Sequence, residues 1–379
     1  LKHIKVGLTV APNMPEKLTT KFIDILPELL EKRISGVSFE FKVESNTVVG
    51  SAEYVDRCID YAYKRKEKSE LDYSICVTDL PSFSNNKSVI SDVNFEKQTA
   101  FISLPALGIY RLKRKLRSTI MDVIIDMYMN SEHKTSPLKK LSSLKVNEVT
   151  PQEKTTTNHR YVYSSTILGV LKIILGMTYA NEPWKAIISF KKIIALGVAT
   201  GTYISIFSTP WQLSLVYEWQ RFILLMTLSL IGMIGWLVYA HNFWEFPSSA
   251  TEKKYRYLYN ITTLLTMFCL FLLSYIILFL LLLTSIIFFV PDDLFKNWGN
   301  ATESYSVSNY LRLSWFISSA GLLAGALGSV MEGENTMKEI TYTSRQRGRK
   351  QRIQRQLEKE ETSLKTEKQK KRIKSKHKI

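Results

Sequence analysis

Thirty consecutive residues, Ile261 to Val290, carry no charged side chain and are dominated by leucine, isoleucine and phenylalanine. As a helix rising 1.5 Å per residue they would reach about 45 Å, beyond the ~30 Å hydrocarbon core of a bilayer, so tilt or a projecting end is expected. Three further stretches without a charged side chain share this character: Ile193 to Phe207 (extending toward Leu213), Phe222 to Ala240, and Leu313 to Val330. One such stretch fits a buried core helix. Four within one stretch of chain predict a four-helix transmembrane domain over residues 188–332.

Hydrophobic residues make up 45% of the 379 positions, an ordinary average that hides a segregated chain. The first part is mixed and polar, the middle apolar. From Thr341 to the end there are 15 Lys and Arg against 4 Asp and Glu, so most of the formal charge of +17 sits in the tail. The expected division is a cytoplasmic α/β domain at 1–130, a Ser/Thr/Lys-rich polar linker at 131–160, an interfacial segment at 161–187, the four spans, and a basic, disordered or helical tail at 333–379.

Loop charge predicts orientation. Lys185, Lys191 and Lys192 precede the first span, Lys253, Lys254 and Arg256 lie between the second and third, and the tail follows the fourth. The remaining two loops are nearly neutral or begin with Asp292 and Asp293. Both termini are then expected in the cytoplasm and the chain in the plasma membrane. Trp211, Trp219, Trp244, Trp298 and Trp315 fall near predicted span ends, as an interfacial aromatic belt requires. Gly197 and Gly201 in the first span, and Gly321 and Gly325 in the fourth, repeat at the four-residue spacing that lines one helix face. That pattern implies a packing seam or a face for a second copy or a membrane partner. No ionisable residue lies at mid-depth and no span is interrupted by proline, which disfavours a transporter.

Residues Ile167 to Ala180 are too short to cross alone and contain Lys172. They read as an amphipathic helix in the membrane interface ending near Pro183, with Trp184 as anchor, or as a helix packed on the soluble domain.

In the N-terminal part, Ile4, Val6, Leu8 and Val10 alternate with other residues, as do Val37, Phe39, Phe41 and Val43, predicting strands. LDYSICVTDLP and TAFISLPALG predict two more, and KSVISDVNF an edge strand or hairpin arm. Helices are expected at Pro15–Lys32, Ala52–Arg65 and Ile109–Met129. Alternating strands and helices imply an α/β fold with a largely parallel sheet and helices on both faces. The opening LKHIKVGLTV reads as a strand rather than a signal peptide.

Ligands in such sheets bind outside the carboxyl ends of the strands. Those ends offer Asn13, Thr78, Asp79 and Ser103 as ligand-binding candidates; turn chemistry beside proline is the structural alternative. Glycine-rich phosphate loops are absent from the sequence, the five histidines are scattered without metal-ligand spacing, and Cys58, Cys76 and Cys269 are far apart. No catalytic residue, metal or cofactor is therefore assigned. The basic tail fits anionic lipid head groups or a solvated topology signal; without interleaved aromatics it fits nucleic acid less well.

The strings VTDLP, SDV and FISLPALGIYRLKR, with EPWK before the first span, resemble an uncharacterised family of Gram-positive bacterial multi-pass membrane proteins with an N-terminal α/β domain. Some members are labelled methylenetetrahydrofolate dehydrogenase, which would imply a folate-type ligand; the sequence has no YxxxK pair and no glycine-rich cofactor loop. The order strand–TDLP–strand–SLPALG–helix faintly resembles zincin domains of the archaemetzincin kind. Where those carry HExxH, this chain has RSTIMDVIIDMY, which implies a lost metal site. Three functions follow: a non-enzymatic membrane protein whose α/β domain binds a partner or small ligand, a membrane-anchored enzyme, and a transporter component.

Overall fold

The computed structural model describes residues 2–46, 55–131, 148–151, 158–246, 253–291, 293 and 307–329. It comprises two compact units, one holding residues up to Ala180 and the next beginning at Asn181. The basic tail, Trp298 and most of the Ser/Thr/Lys-rich segment lie outside the described residues.

The first unit is built on a mixed sheet. Its strands are β1 (Lys2–Val10), β2 (Val37–Ser45), β3 (Tyr73–Thr78), β4 (Phe83–Ser84), β5 (Lys87–Asn94), β6 (Thr99–Ser103), β7 (Glu148–Pro151) and β8 (Asn158–Val162). They lie in the order β2-β1-β3-β6-β5-β8-β7, with β4 beside β5. Strands β2, β1, β3 and β6 are mutually parallel, while β5, β8 and β7 run antiparallel to their neighbours. The parallel strands are the apolar, alternating ones. Ile4, Val6, Leu8, Val10, Ile75 and Val77 form a buried layer on one face.

Helices cover both faces. Helices α1 (Met14–Thr20), α2 (Leu26–Glu31) and α4 (Leu112–Ser131) pack together, and α3 (Val55–Lys68) covers the other side, where the Cys76 thiol meets the Cys58 carbonyl at 3.3 Å. The single helix expected at 15–32 is broken by a 3-10 turn at Ile23–Ile25. Pro27 has no amide hydrogen to bond the preceding turn, so α2 can only restart with that proline at its beginning.

Two expectations are corrected in the antiparallel half. β5 is a hairpin arm, joined to β4 through Asn85 and Asn86, both at positive φ as a tight type I′ hairpin requires. It is not an edge strand, because β8 pairs along its other side. The polar linker expected at 131–160 accordingly gives way at its end to β8, and β7 pairs with β8. The strand is hidden because Asn158, His159, Arg160 and Tyr161 are polar or aromatic, and Arg160 and Tyr161 are buried beside Val162, so it lacks apolar alternation. The α/β unit thus runs past residue 130 and includes α5 (Thr166–Ala180). That helix is packed on the domain. A Cβ added at Gly176 would lie 2.3 Å from the Pro105 carbonyl oxygen, and one at Gly169 would lie 2.6 Å from Ser88 Oγ.

The second unit is helical: α6 (Pro183–Ala186), α7 (Lys191–Ile204), α8 (Ser208–Val216), α9 (Trp219–Ala240), α10 (Lys253–Phe289) and α11 (Val307–Ser329). Among the described residues, three helical stretches are long and apolar enough to cross a membrane: Thr166–Ile204, Trp219–Ala240 and Lys253–Phe289. The expected first span at Ile193–Phe207 is not continuous with Leu213. α7 stops at Ile204, and α8 starts anew with Pro210 in its first turn. The Ser205 carbonyl at this break accepts the Trp211 indole N–H at 2.8 Å. Trp211 is therefore fully buried, against Tyr310, and not part of an interfacial belt; Trp219 is exposed.

Gly197 and Gly321 face each other across α7 and α11. A Cβ at Gly321 would stand 2.9 Å from the Gly197 carbonyl oxygen, and one at Gly197 3.0 Å from that of Gly321. Gly201 abuts Leu282 and Ile317, and Gly325 the backbone of Ile193. Polar side chains stitch the helices: Tyr275 bonds Ser319 (2.9 Å), Thr202 bonds Ser285 (2.9 Å), and the Asn181 amide donates to Thr266 (2.7 Å). The outer surface exposes large apolar side chains, among them Leu224, Ile231, Leu280 and Phe288.

Gly321→Ala should cost about 1–3 kcal/mol, because the helices must separate against close packing. Gly235, with nothing within 4 Å of an added Cβ, should accept Ala without loss. Unfolding of the purified chain in mixed detergent checks both.

Candidate functional site

The parallel strands end at one edge of the sheet, and the structure brings Thr78, Asp79 and Ser103 together there. Thr78 and Ser103 are register partners on β3 and β6, and all three residues are buried. Their hydroxyls hold the loop that follows β3. Thr78 Oγ1 accepts the Leu80 amide at 3.1 Å, and Ser103 Oγ donates to the Leu80 carbonyl at 2.7 Å. Both backbone groups of Leu80 are thus engaged by side chains, which is the turn chemistry of short hydroxyl residues. Asn13 lies on the exposed loop after β1, at φ 72°, a backbone conformation glycine favours. Its side chain makes no cap to α1, although its carbonyl accepts the Lys17 amide at 2.9 Å.

A second polar group, with no residue among the strand-end candidates, lies where α4 meets β8. Asp122 and Asp126 stand one turn apart on α4, and both are fully buried. Asp126 Oδ2 accepts the Tyr161 hydroxyl at 2.8 Å and lies 3.1 Å from His159 Nδ1. Asp122 Oδ1 accepts from the half-exposed Arg33 at 3.3 Å. An ionised carboxylate can only accept, so a hydrogen bond from His159 to such a group uses the tautomer with hydrogen on Nδ1. The His159 ring is packed edge-on to Phe95, with its side chain 33% exposed. Burial first, and then the Asp126 charge, pushes the Tyr161 phenol far above its ordinary range, so it remains a donor at any working pH.

On the opposite face, Arg160 Nε donates to the buried Asp92 Oδ2 at 2.7 Å, and Arg160 Nη1 to Ser84 at 3.0 Å. The register explains the division. Val93 and Ser91 lie opposite His159 and Tyr161, whereas Asp92 lies opposite Arg160, so successive β8 side chains alternate between faces. Ser103 is on the Arg160 side, and the sheet therefore separates it from His159.

The available chemistry is that of an oriented imidazole: one nitrogen fixed by a buried carboxylate and a partly exposed ring able to exchange a proton or bond a ligand. No group of three or more His, Cys, Asp or Glu able to hold a metal is found among the described residues. The signal that could have revealed the α4–β8 group is the Asp-x-x-x-Asp spacing within the otherwise apolar stretch Ile120–Tyr128 of α4, which places two carboxylates on one buried face.

Compared with protein-family models, curated proteins and solved structures, the chain matches none.

Asp126→Ala should cost about 1–3 kcal/mol by leaving a buried hydroxyl without its acceptor. Adding Tyr161→Phe should recover part of that loss. Thermal unfolding of the purified full chain measures both.

Proposed function

We propose that the chain is a four-span plasma-membrane protein that holds an α/β recognition domain at the cytoplasmic surface, where the domain binds a protein partner or small ligand. The observation that carries this reading is α5. It is seated on the α/β unit through Gly169 and Gly176, and the same residues begin the apolar stretch Thr166–Ile204. Backbone-close packing of α5 on the domain, and an apolar run of membrane length that continues along the sequence, support a domain tethered to the bilayer. The outward apolar surface of α9 and α10 and the internal hydrogen bonds among the helices suit a lipid solvent. The basic segments flanking the apolar helices support a cytoplasmic domain and tail.

Single-cysteine accessibility tests the orientation. Ser69→Cys and Glu360→Cys should resist a membrane-impermeant maleimide in intact cells and react after permeabilisation, whereas Phe295→Cys should react from outside. Labelling of Ser69→Cys in intact cells would end this reading.

A membrane-anchored enzyme is the second reading, favoured by the His159–Asp126–Tyr161 arrangement, in which a buried carboxylate orients a partly exposed histidine. A thermal-shift panel of nucleotides and folates on the full chain separates the two. Saturable stabilisation abolished by His159→Gln supports the enzyme; saturable stabilisation indifferent to His159 supports recognition at another surface.

A further inference from the structure

The α/β unit exposes apolar side chains in one neighbourhood. The loop after the 3-10 turn Pro105–Leu107 presents Ile109 and Tyr110, the latter 68% exposed. The first turns of α5 present Ile167, Leu168 and Leu171, with Ile167 80% exposed. Three contacts bring these segments together. Gly176 sits against the Pro105 backbone, the Tyr163 hydroxyl donates to the Ala106 carbonyl at 2.7 Å, and the Lys172 stem lies against Gly108. Leu168 precedes Lys172 by one helical turn on the same side of α5.

Cations adjoin this apolar surface: Lys172 and Arg111 in space, and Lys113 and Arg114 next along the chain. Arg111, Lys113 and Arg114 are exposed, and Lys115 is partly buried. They occupy the start of α4, where the helix dipole disfavours positive charge. Burial, and then repulsion from Lys172, pulls Lys115 below the ordinary lysine range. Lys172 Nζ lies 4.4 Å from the Tyr163 ring centroid and Arg111 5.1 Å from that of Tyr110, so aromatic faces share the site with the cations. No acidic residue lies between Pro105 and Thr119 or between Tyr163 and Ala180. Crowded positive charge at an unfavourable helix end, beside exposed aliphatic and aromatic groups, matches an anionic lipid interface better than a neutral protein surface. Apolar groups enter the acyl boundary while Lys and Arg meet the phosphates.

We propose that the face formed by Ile109, Tyr110, Ile167, Leu168 and Leu171, with Arg111, Lys113 and Arg114 at its rim, docks on an anionic phospholipid leaflet. The inference rests on the membrane-anchored reading above and adds a specific lipid contact to it.

A nitroxide at Tyr110→Cys tests it in the full chain. The background is Cys269→Ser; Cys58 and Cys76 are buried, and burial pushes the Cys58 thiol up to about 12. A matching label at Ser69→Cys serves as the water reference. Protein is reconstituted in phosphatidylcholine vesicles with or without phosphatidylglycerol, and collision rates with oxygen and with a water-soluble nickel chelate are read by electron paramagnetic resonance. With phosphatidylglycerol, nickel collisions at position 110 should fall several-fold relative to position 69. That protection should be lost without the anionic lipid and in Lys113→Glu/Arg114→Glu, whose exposed positions leave the fold intact. Equal nickel access at both positions overturns the inference, as does protection that persists in pure phosphatidylcholine, or dipolar broadening from a second copy. Failure of the chain to float with vesicles would instead overturn the membrane-anchored reading, and the inference with it.

Discussion

Two buried carboxylates hold the antiparallel side of the sheet. Asp92 and Asp126 lie on opposite faces and receive Arg160 and the His159–Tyr161 pair from β8. A strand built from Asn, His, Arg, Tyr and Val cannot be held by hydrophobic burial alone. Its polar groups must be met inside, because an unpartnered charge or hydroxyl away from water is costly. With those partners in place, β8 closes the side of β5 that would otherwise be an open edge. α5 follows four residues after β8, so its seat on the domain depends on this strand as well.

The seat of α5 is a matter of distance. At Gly176 and Gly169 the absence of a side chain lets the helix approach the Pro105 backbone and Ser88 more closely than any Cβ would allow. The second unit uses the same device where Gly197 meets Gly321. Between apolar helices in lipid there is no hydrophobic drive to association, so close backbone contact and interhelical hydrogen bonds carry the packing. One small-residue rule thus serves both units: in the α/β unit it seats a helix on a sheet domain, and in the apolar unit it joins helices to each other. The exposed Ile167, Leu168 and Leu171 on α5 sit beside Lys and Arg, whereas the exposed Leu224 and Ile231 of α9 and Leu280 and Phe288 of α10 lie in stretches without a charged side chain.

Much of this was legible from residue order. Period-two alternation marked β1 and β2, and the apolar runs marked α9 and α10, because burial or lipid contact on a defined face leaves a repeating trace. The glycine spacing placed Gly197 and Gly321 on helix faces, and the structure sets them against each other. The strand-end residues Thr78 and Ser103 were found as neighbours, but their hydroxyls turn inward to Leu80. The misreadings share a cause. β8 escapes a reading of residue order because it buries Arg160 and Tyr161 beside Val162, and the carboxylates that meet His159 and Arg160 lie 33 and 68 positions away in sequence. The break at Ser205 was missed because hydropathy is indifferent to a carbonyl capped by an indole. Trp211 was placed at an interface for the same reason.

The sequence by itself determined the segregation of the chain: an apolar middle with helices long enough to cross a membrane, a polar α/β region before it, and basic flanks. These follow from transfer free energy and charge, which are properties of residues and of their near neighbours in the chain. The tertiary structure alone decided which strand fills the sheet beyond β5, which face α5 turns to the domain, and which hydroxyls are spent on the backbone. Each of those outcomes depends on a contact between distant residues, where the energy belongs to the pair and leaves no periodic mark on either partner.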